Sequence, residues 1–225
     1  MVDMEYQHPD DNAWYDVGLA FDGETLRLSY AGFPEEQDET FPVGKLETAE
    51  ELEAFRGRFR RSSVQLQDHE CSKIVHGKAV CASYQFENGE VKFYDALVVE
   101  VLNEEHECSG AGEEICSCTY VLKWQEGSLQ GKRTFARIGD VCFTPPGKEI
   151  DPPLEDFLRM SRDRVKGDGG VLVGGEEPRN TTTTIYKDGS SYFKRMLPPN
   201  VEPRRRKFLC ACKTNEGRIH GHCKK

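Results

Sequence analysis

The chain has 225 residues, which is enough for one large domain or two small ones. Hydrophobic residues make up 37% of it, and its twelve Phe, eight Tyr and two Trp can build a packed core, which excludes global disorder. The apolar runs are too short to span a bilayer, and the acidic N-terminus MVDMEYQHPDD has no apolar stretch typical of a secretory signal. We therefore expect neither a membrane protein nor a secreted one.

The charge is unevenly distributed along the chain. The formal net charge is −9, and residues 167–225 carry 12 Lys and Arg against 6 Asp and Glu, or +6, which leaves −15 for the first 166 residues. An acidic body favours a basic partner and disfavours a surface that grips duplex nucleic acid, because phosphate contacts need basic groups. A solvated acidic surface without a partner is the alternative interpretation.

The strand-like segments predict a mainly β body. Asp22-Gly23 and Asn88-Gly89 each lie between two apolar segments, and such pairs are typical of hairpin turns. The strands are expected at 13–19, 25–30, 39–43, 78–86, 91–102, 119–124 and 132–136. The acid-rich stretch 35–39 is expected to be a solvated loop, and it could also attract a basic peptide.

Two helices are predicted, one after each group of strands. Thr48 and Glu51 form a capping box that opens a helix over about 49–59, and Pro153 opens a second helical pattern. The body is thus interpreted as two small β units, at 1–70 and 71–166. A Gly-rich linker and a basic tail that contains Cys and His follow at 167–225.

The nine cysteines are an odd number in a chain expected to occupy a reducing compartment, where clustered Cys and His favour a metal site over disulfides. A structural zinc ion takes four such nitrogen and sulfur ligands. Four candidate ligands lie within 13 residues, and a fifth, Cys71, lies at the joint between the two units. The five candidates are Cys71, His106, Cys108, Cys116 and Cys118. Cys81 and Cys142 lie among apolar residues and are expected to be core thiols.

The tail repeats this pattern of ligand types. Five of its residues are candidates for a second metal site, namely Cys210, Cys212, His220, His222 and Cys223. A disordered basic tail with incidental thiols is the alternative.

Aromatic residues form a further constellation. Tyr15 lies on the first predicted strand, while Tyr30 and Phe33 lie at the end of the second, so the three rings are candidates to meet at one rim of a small barrel. Rings around a space attract a methylated ammonium through cation–π contacts. An ordinary aromatic core is the alternative, which the residues alone do not exclude.

Catalytic signatures are lacking. The sequence contains no G-x-S-x-G elbow, no P-loop, no G-x-G-x-x-G and no H-E-x-x-H. His69 with Cys71, and His106 with Cys108, are spaced for one strand face and suit shared metal ligation as well as catalysis. We expect that the protein is not an enzyme, and a cysteine-dependent enzyme is kept as a minor alternative.

Several motifs in order resemble the plant SAWADEE domain over about residues 5–146. They are N-A-W-Y-D-V at 12–17, Y-A-G-F at 30–33, D-E at 38–39, R-R-S-S at 60–63, H-E-C at 69–71, K-F-Y-D-A at 92–96, and His106 followed by C-S-C at 116–118. The resemblance implies a tandem of Tudor-like barrels with zinc bound in the second. Members of the family read the histone H3 tail, and those best known also carry a homeodomain, which this sequence lacks.

Carried onto this chain, the resemblance implies a role for each matching residue. Tyr15, Tyr30 and Phe33 would form a cage for a methylated lysine at the ninth position of the tail, with Tyr30 where the family has Phe. Asp16 and Glu5 would bind the unmodified lysine at the fourth position. The implied zinc ligands are Cys71, His106, Cys116 and Cys118, with Cys108 as the alternative to Cys71.

The resemblance also implies a cellular role. It points to a nuclear protein that binds histone H3 in RNA-directed DNA methylation or heterochromatin silencing, with the RNA polymerase IV machinery as a further partner. The alternative from another class is a nucleic-acid-binding or scaffold protein that acts through the basic tail, where residues 204–207 read R-R-R-K.

Overall fold

The computed structural model describes residues 3–108, 114–147 and 149–168. Its strands are β1 Met4–Gln7, β2 Trp14–Phe21, β3 Thr25–Tyr30, β4 Glu39–Pro42, β5 Phe59–Arg61, β6 Val64–Gln65, β7 Ala79–Gln85, β8 Val91–Leu102, β9 Glu107–Cys108, β10 Glu114–Ile115, β11 Thr119–Trp124, β12 Arg133–Arg137 and β13 Val141–Phe143. The two α-helices are α1 Ala49–Arg56 and α2 Pro152–Asp168, and short 3-10 turns lie at Glu35–Gln37, Asp68–Lys73, Gly127–Leu129 and Ile138–Asp140.

The first group of strands is organised around β2. Its N-terminal half pairs with β1, and its C-terminal half pairs with β3. β4 extends the sheet beyond β3, and β5 returns the chain to the free side of β1. This arrangement brings the start of β2 and the end of β3 together, where the candidate cage residues lie.

The second group is organised around β8, the longest strand. β7 pairs with its first half and β11 with its second half, and β12 and β13 continue from β11 and β7 respectively. The two groups are joined in the sheet where Trp14 of β2 pairs with Phe93 of β8. All of these ladders are antiparallel, so the expected mainly β class with a few short helices is confirmed.

The hairpin turns form where the sequence predicts them. Asp22 accepts hydrogen bonds from the N–H groups of Glu24 and Thr25 at 2.8 and 2.7 Å, which closes the turn between β2 and β3. The Asn88-Gly89 turn joins β7 to β8, with Gly89 in the left-handed region at a φ of 83°.

Helix α1 begins with the predicted capping box, because the Thr48 hydroxyl accepts from the Glu51 N–H at 3.1 Å and the Glu51 carboxylate accepts in return. The prediction that it reaches residue 59 is wrong. The helix ends at Arg56, and Phe59 enters β5 instead, because β1 offers that segment a strand edge to pair with. Tertiary pairing has here overridden a helical pattern.

Helix α2 packs against the first group of strands and against α1. Phe157 is fully buried, and its ring lies 6.0 Å from that of Phe21 and 5.8 Å from that of Phe55. Helix α2 follows the second group of strands in the sequence but packs against elements near the start of the chain. The division into Tudor-like units at residue 70 stays a prediction.

Candidate functional site: an aromatic cage, an acid pair and a Cys/His cluster

Three aromatic rings surround one corner of the first group of strands. The ring centroids of Tyr15 and Tyr30 are 5.7 Å apart, those of Tyr15 and Phe33 are 6.1 Å apart, and those of Tyr30 and Phe33 are 6.2 Å apart. The angles between the ring planes are 84°, 73° and 71°. The structure thus brings together the three residues that the sequence marked, in a nearly perpendicular arrangement.

A tight turn places Phe33 opposite the other two rings. The Phe33 N–H donates to the Tyr30 carbonyl oxygen at 3.2 Å, and Gly32 has a φ of 83°, which a residue with a side chain adopts only with strain. The Ala31 N–H donates to the Asp16 carbonyl oxygen at 2.9 Å and ties the turn to β2. Phe33 is half-buried, whereas Tyr15 and Tyr30 are 9% and 3% exposed.

The hydroxyl of Tyr15 donates a hydrogen bond to Asp11, a residue that was not predicted to belong to the site. Tyr15 donates to Asp11 at 2.6 Å, and the Lys92 ammonium lies 3.0 Å from the same carboxylate. Burial works against the charge of Asp11, but the hydrogen bonds from Tyr15, the Ala13 N–H and Lys92 outweigh it and lower the pKa of Asp11. Its place in the hairpin loop four residues before Tyr15 is the signal that could have found it.

The hydroxyl of Tyr30 is held by Glu39, which in turn contacts a buried histidine. Tyr30 donates to the Glu39 carboxylate, and the His8 Nε2 atom lies 3.2 Å from that carboxylate. The expectation of a solvated acidic loop at 35–39 is therefore wrong at two positions. Glu39 joins the cage, and Asp38 accepts from Arg27 at 2.8 Å, because a neighbouring strand presents partners to both.

The two acidic residues assigned to an unmodified lysine face each other across the β1–β2 ladder. Glu5 and Asp16 are direct partners in the register, so their side chains lie on the same face of the sheet. Asp16 is half-buried and accepts from the Ser62 hydroxyl at 2.9 Å. Glu5 is only 6% exposed and accepts from the Ser63 N–H at 3.0 Å.

Arg60 of β5 contacts this acid pair. Its guanidinium forms an ion pair with Glu5, donates to Asp95 at 2.8 Å, and stacks on the Trp14 ring with its central carbon 3.6 Å from the ring centroid. Burial raises the pKa of Glu5, and the charge of Arg60 opposes that rise. The acid pair thus already has a cationic partner within the protein.

Four metal-ligand side chains converge in the second group of strands. The donor atoms of Cys71, His106, Cys116 and Cys118 lie within 4.8 Å of one another. The His106 Nε2 atom is 3.4 Å from the Cys71 sulfur and 3.3 Å from the Cys118 sulfur. Tetrahedral zinc with ordinary Zn–S and Zn–N bonds places such atoms about 3.6 Å apart, so the donor set fits a metal ion of this kind.

The surroundings of the cluster also suit a cation. Cys116 and Cys118 are buried, and the Cys116 N–H donates to Asp68 at 3.0 Å, which anchors the ligand loop to the 3-10 turn that carries Cys71. Desolvation and the neighbouring thiols raise the pKa of Cys71 to about 12. That thiol therefore stays protonated at neutral pH unless a cation draws it into the thiolate form.

The other cysteines are placed less uniformly. Cys81 and Cys142 are buried against Trp14, as core thiols would be, and burial raises the pKa of Cys81 well above its usual value. Cys108 lies on β9, but its side chain is outside the described part of the structure. The proposed second site at 210–223 also lies outside the described residues.

The family model of the SAWADEE domain matches residues 1–142, which is more than half of the chain. The chain therefore belongs to the SAWADEE domain family. A search of curated proteins gives no match. In the described part of the chain, none of the helices has the length and apolar character needed to cross a membrane.

Two solved structures illustrate the likeness. One is a selenium-substituted double mutant of the Arabidopsis thaliana SHH1 SAWADEE domain, at 19% identity and a TM-score of 0.48, covering 65% of this chain and 98% of that one. The other is an SHH1 SAWADEE domain in complex with a histone H3 peptide trimethylated at its ninth residue, at 20% identity and a TM-score of 0.48, covering 64% of this chain and 98% of that one.

Proposed function

We propose that this protein reads the histone H3 tail by binding a methylated lysine at its ninth position between Tyr15, Tyr30 and Phe33. The observation that supports this most directly is the geometry of the three rings. The ring centroids are 5.7 to 6.2 Å apart and the ring planes lie at 71° to 84° to one another, a spacing and orientation that suit cation–π contacts with one methylammonium. Membership of the SAWADEE family supports the same ligand.

The carboxylates behind the cage strengthen it as a cation site. Asp11 and Glu39 accept from the hydroxyls of Tyr15 and Tyr30, which restricts the motion of both rings. A hydrogen bond to a carboxylate also increases the electron density of a phenol, so the ring faces become more attractive to a methylammonium. The acidic body of the protein favours the basic histone tail over longer distances.

The acid pair is proposed to recognise the unmodified lysine at the fourth position of the tail. An unmodified ammonium offers three N–H donors, and Asp16 and Glu5 offer carboxylate acceptors on one face of the sheet. Methylation replaces those donors, so a methylated fourth position is expected to bind less well. Because Arg60 already pairs with Glu5, the incoming ammonium would rely mainly on Asp16 and share Glu5.

The Cys/His cluster is proposed to hold a structural zinc ion. Its four side chains supply nitrogen and sulfur donors from two separate segments of the chain, which a closed tetrahedral site would join. A bound zinc ion would keep the thiols ionised and would contribute its binding energy to folding. None of the four ligands is then left for catalysis, which agrees with a non-enzymatic reader.

The cellular role proposed for this reader follows from the family. It is a nuclear function in heterochromatin silencing or RNA-directed DNA methylation, with the RNA polymerase IV machinery as a further partner. A pull-down from one nuclear extract, with the wild-type protein and a cage variant as separate baits, tests that role. Capture of the polymerase subunits by the wild-type protein alone would support it. Equal capture by both would separate polymerase binding from histone reading.

Calorimetric titration with H3-tail peptides tests the reading function. We expect micromolar binding of the peptide methylated at the ninth position, weak or undetectable binding of the unmodified peptide, and loss of binding in Tyr15→Ala. Phe135→Ala serves as the matched control, because Phe135 is an aromatic residue that lies on β12 and is 74% exposed. Equal binding of both peptides by the wild-type protein would contradict the cage assignment.

Asp16→Asn tests the second half of the proposal. The wild-type protein is expected to bind the peptide methylated at the fourth position more weakly than its unmodified counterpart, and the variant is expected to lose most of that difference. A thermal melt of each variant separates these effects from misfolding. If the variant discriminates as well as the wild-type protein, Asp16 does not contact that lysine.

A further inference from the structure

The outer edge of β12 is a basic and aromatic strip. β12 pairs with β11 and, among the described residues, with no strand on its other side. Its side chains alternate, with Thr134 and Ala136 directed inward, and Arg133, Phe135 and Arg137 exposed on the solvent face. Phe135 is 74% exposed, more than any other large hydrophobic residue in the described part of the chain.

The main-chain groups of this strip are also directed outward. The Trp124 N–H donates to the Lys132 carbonyl oxygen at 3.1 Å, and the pairs of an antiparallel ladder alternate, so Thr134 and Ala136 direct their main-chain groups toward β11. The N–H and C=O groups of Arg133 and Phe135 therefore point away from the sheet. The Arg137 N–H donates to Asp140 at 2.9 Å and closes the end of the strip.

The charge of the strip contrasts with the rest of the body. β11 and β12 together contain Lys123, Arg133 and Arg137 and no acidic residue, whereas the first 166 residues as a whole carry a net charge of −15. Among the ion pairs formed within the described residues, none involves Lys123 or Arg133. Charged residues on an edge often serve only to prevent strand-to-strand aggregation, but a largely exposed phenylalanine between them works against that purpose.

We propose that the edge of β12 binds an extended acidic segment of a protein partner, which adds to the sheet as a further strand. On the shared face, Phe135 would contact an aromatic or apolar side chain, and Arg133 and Arg137 would contact acidic ones. Five consecutive residues of the partner segment would therefore follow the pattern acidic, any residue, aromatic, any residue, acidic. Since β8 and β11 lie between this edge and β2, the strand of Tyr15, the surface is separate from the methyl-lysine cage.

Fluorescence anisotropy of a labelled twelve-residue peptide with the central sequence Glu-Thr-Tyr-Thr-Glu tests this proposal with the full chain. The permuted sequence Thr-Glu-Tyr-Glu-Thr has the same composition but directs its acidic side chains to the opposite face. We expect the first peptide to bind at least tenfold more tightly than the second. Methylation of the tyrosine main-chain nitrogen should abolish binding, whereas the same change at the following threonine should not, since that N–H points away from β12.

Protein variants complete the test. Phe135→Ser and Arg133→Glu are each expected to weaken the peptide by tenfold or more, without changing the melting temperature or the binding of the histone peptide. Val64→Ser is the matched control, since Val64 is 60% exposed on β6, another edge strand, but has no flanking arginines. The proposal is overturned if neither peptide binds, if both bind equally, or if single-stranded oligouridine binds at this edge in place of the peptide.

Discussion

The aromatic cage and the Cys/His cluster are the two constellations that the sequence marks most clearly, and they are held together in opposite ways. The cage is completed by the chain itself, because its rings contact each other and Asp11 and Glu39 hold two of them. The cluster brings four donor atoms within 4.8 Å of one another, and we propose that a shared metal ion joins them. We therefore expect that loss of a ring removes ligand binding, whereas loss of a metal ligand removes folding.

Removal of the metal should have the largest effect. A structural zinc site contributes on the order of 10 kcal/mol to folding, so chelation or Cys118→Ser is expected to abolish the cooperative melting transition of the second group of strands. Near-ultraviolet circular dichroism would follow the melting transition, and atomic emission would measure the bound metal. Cys142→Ala, a buried cysteine outside the cluster, should retain the metal. An unchanged melting temperature after complete metal removal would contradict this account.

Loss of a buried charge partner should have the next largest effect. Glu5→Gln removes the carboxylate that faces Arg60 but leaves Asp95 as a second partner, so we expect the free energy of unfolding to fall by about 2 kcal/mol. Asp16→Asn, which removes the charge of the half-buried partner in the same ladder, should cost less than about 0.5 kcal/mol. Urea denaturation measures both. Equal costs would mean that the Glu5–Arg60 pair does not organise the acid pair.

A smaller effect is expected from removal of the Tyr30 hydroxyl. Tyr30→Phe keeps the ring face but removes the hydrogen bond to Glu39, so the affinity for the methylated peptide should fall by roughly threefold, which is within the range of one such bond. Tyr30→Ala should lose at least ten times more affinity. Calorimetry on both variants decides the point, and an unchanged affinity in Tyr30→Phe would show that Glu39 does not support the cage.

The smallest effect is a pH dependence of stability through Asp11. Because the pKa of this carboxyl is lowered in the folded state, its contribution is present above the unfolded value near 3.9 and is lost as the pH falls through the folded pKa. The stability difference between the wild-type protein and Asp11→Asn should thus be constant above about pH 5 and shrink at lower pH. Urea melts between pH 3 and pH 8 would measure it, and a difference that grows at low pH would contradict the assignment.

The local features of the fold could be predicted from the sequence because their signals are local. The Asn88-Gly89 turn, the Thr48 capping box and the helix predicted to open at Pro153 all depend on neighbouring residues, and all are confirmed, the helix beginning at Pro152. Strands β1, β5, β6 and β13 were not predicted, since their strand form depends on pairing with distant segments. The packing of α2 against the first group of strands could not be predicted either, because it also depends on contacts between distant segments.

The sites show the same limit. The aromatic and Cys/His residues could be marked by type and spacing, and the structure brings each set together. The residues that complete these sites could not be predicted, because Asp11, Glu39 and Arg60 are ordinary charged residues whose partners depend on the fold. Glu5 illustrates this best, since nothing in its sequence neighbourhood indicates that Arg60 occupies the same pocket.

The most direct test of the central claim is a calorimetric comparison of two H3-tail peptides. One carries trimethyl-lysine at the ninth position, and the other carries its neutral tert-butyl isostere, which has the same shape without the charge. We expect the cationic peptide to bind at least tenfold more tightly, because the ring faces attract positive charge. Equal affinities, or no binding of either peptide by the folded, metal-loaded protein, would contradict the claim that Tyr15, Tyr30 and Phe33 form a methylammonium cage.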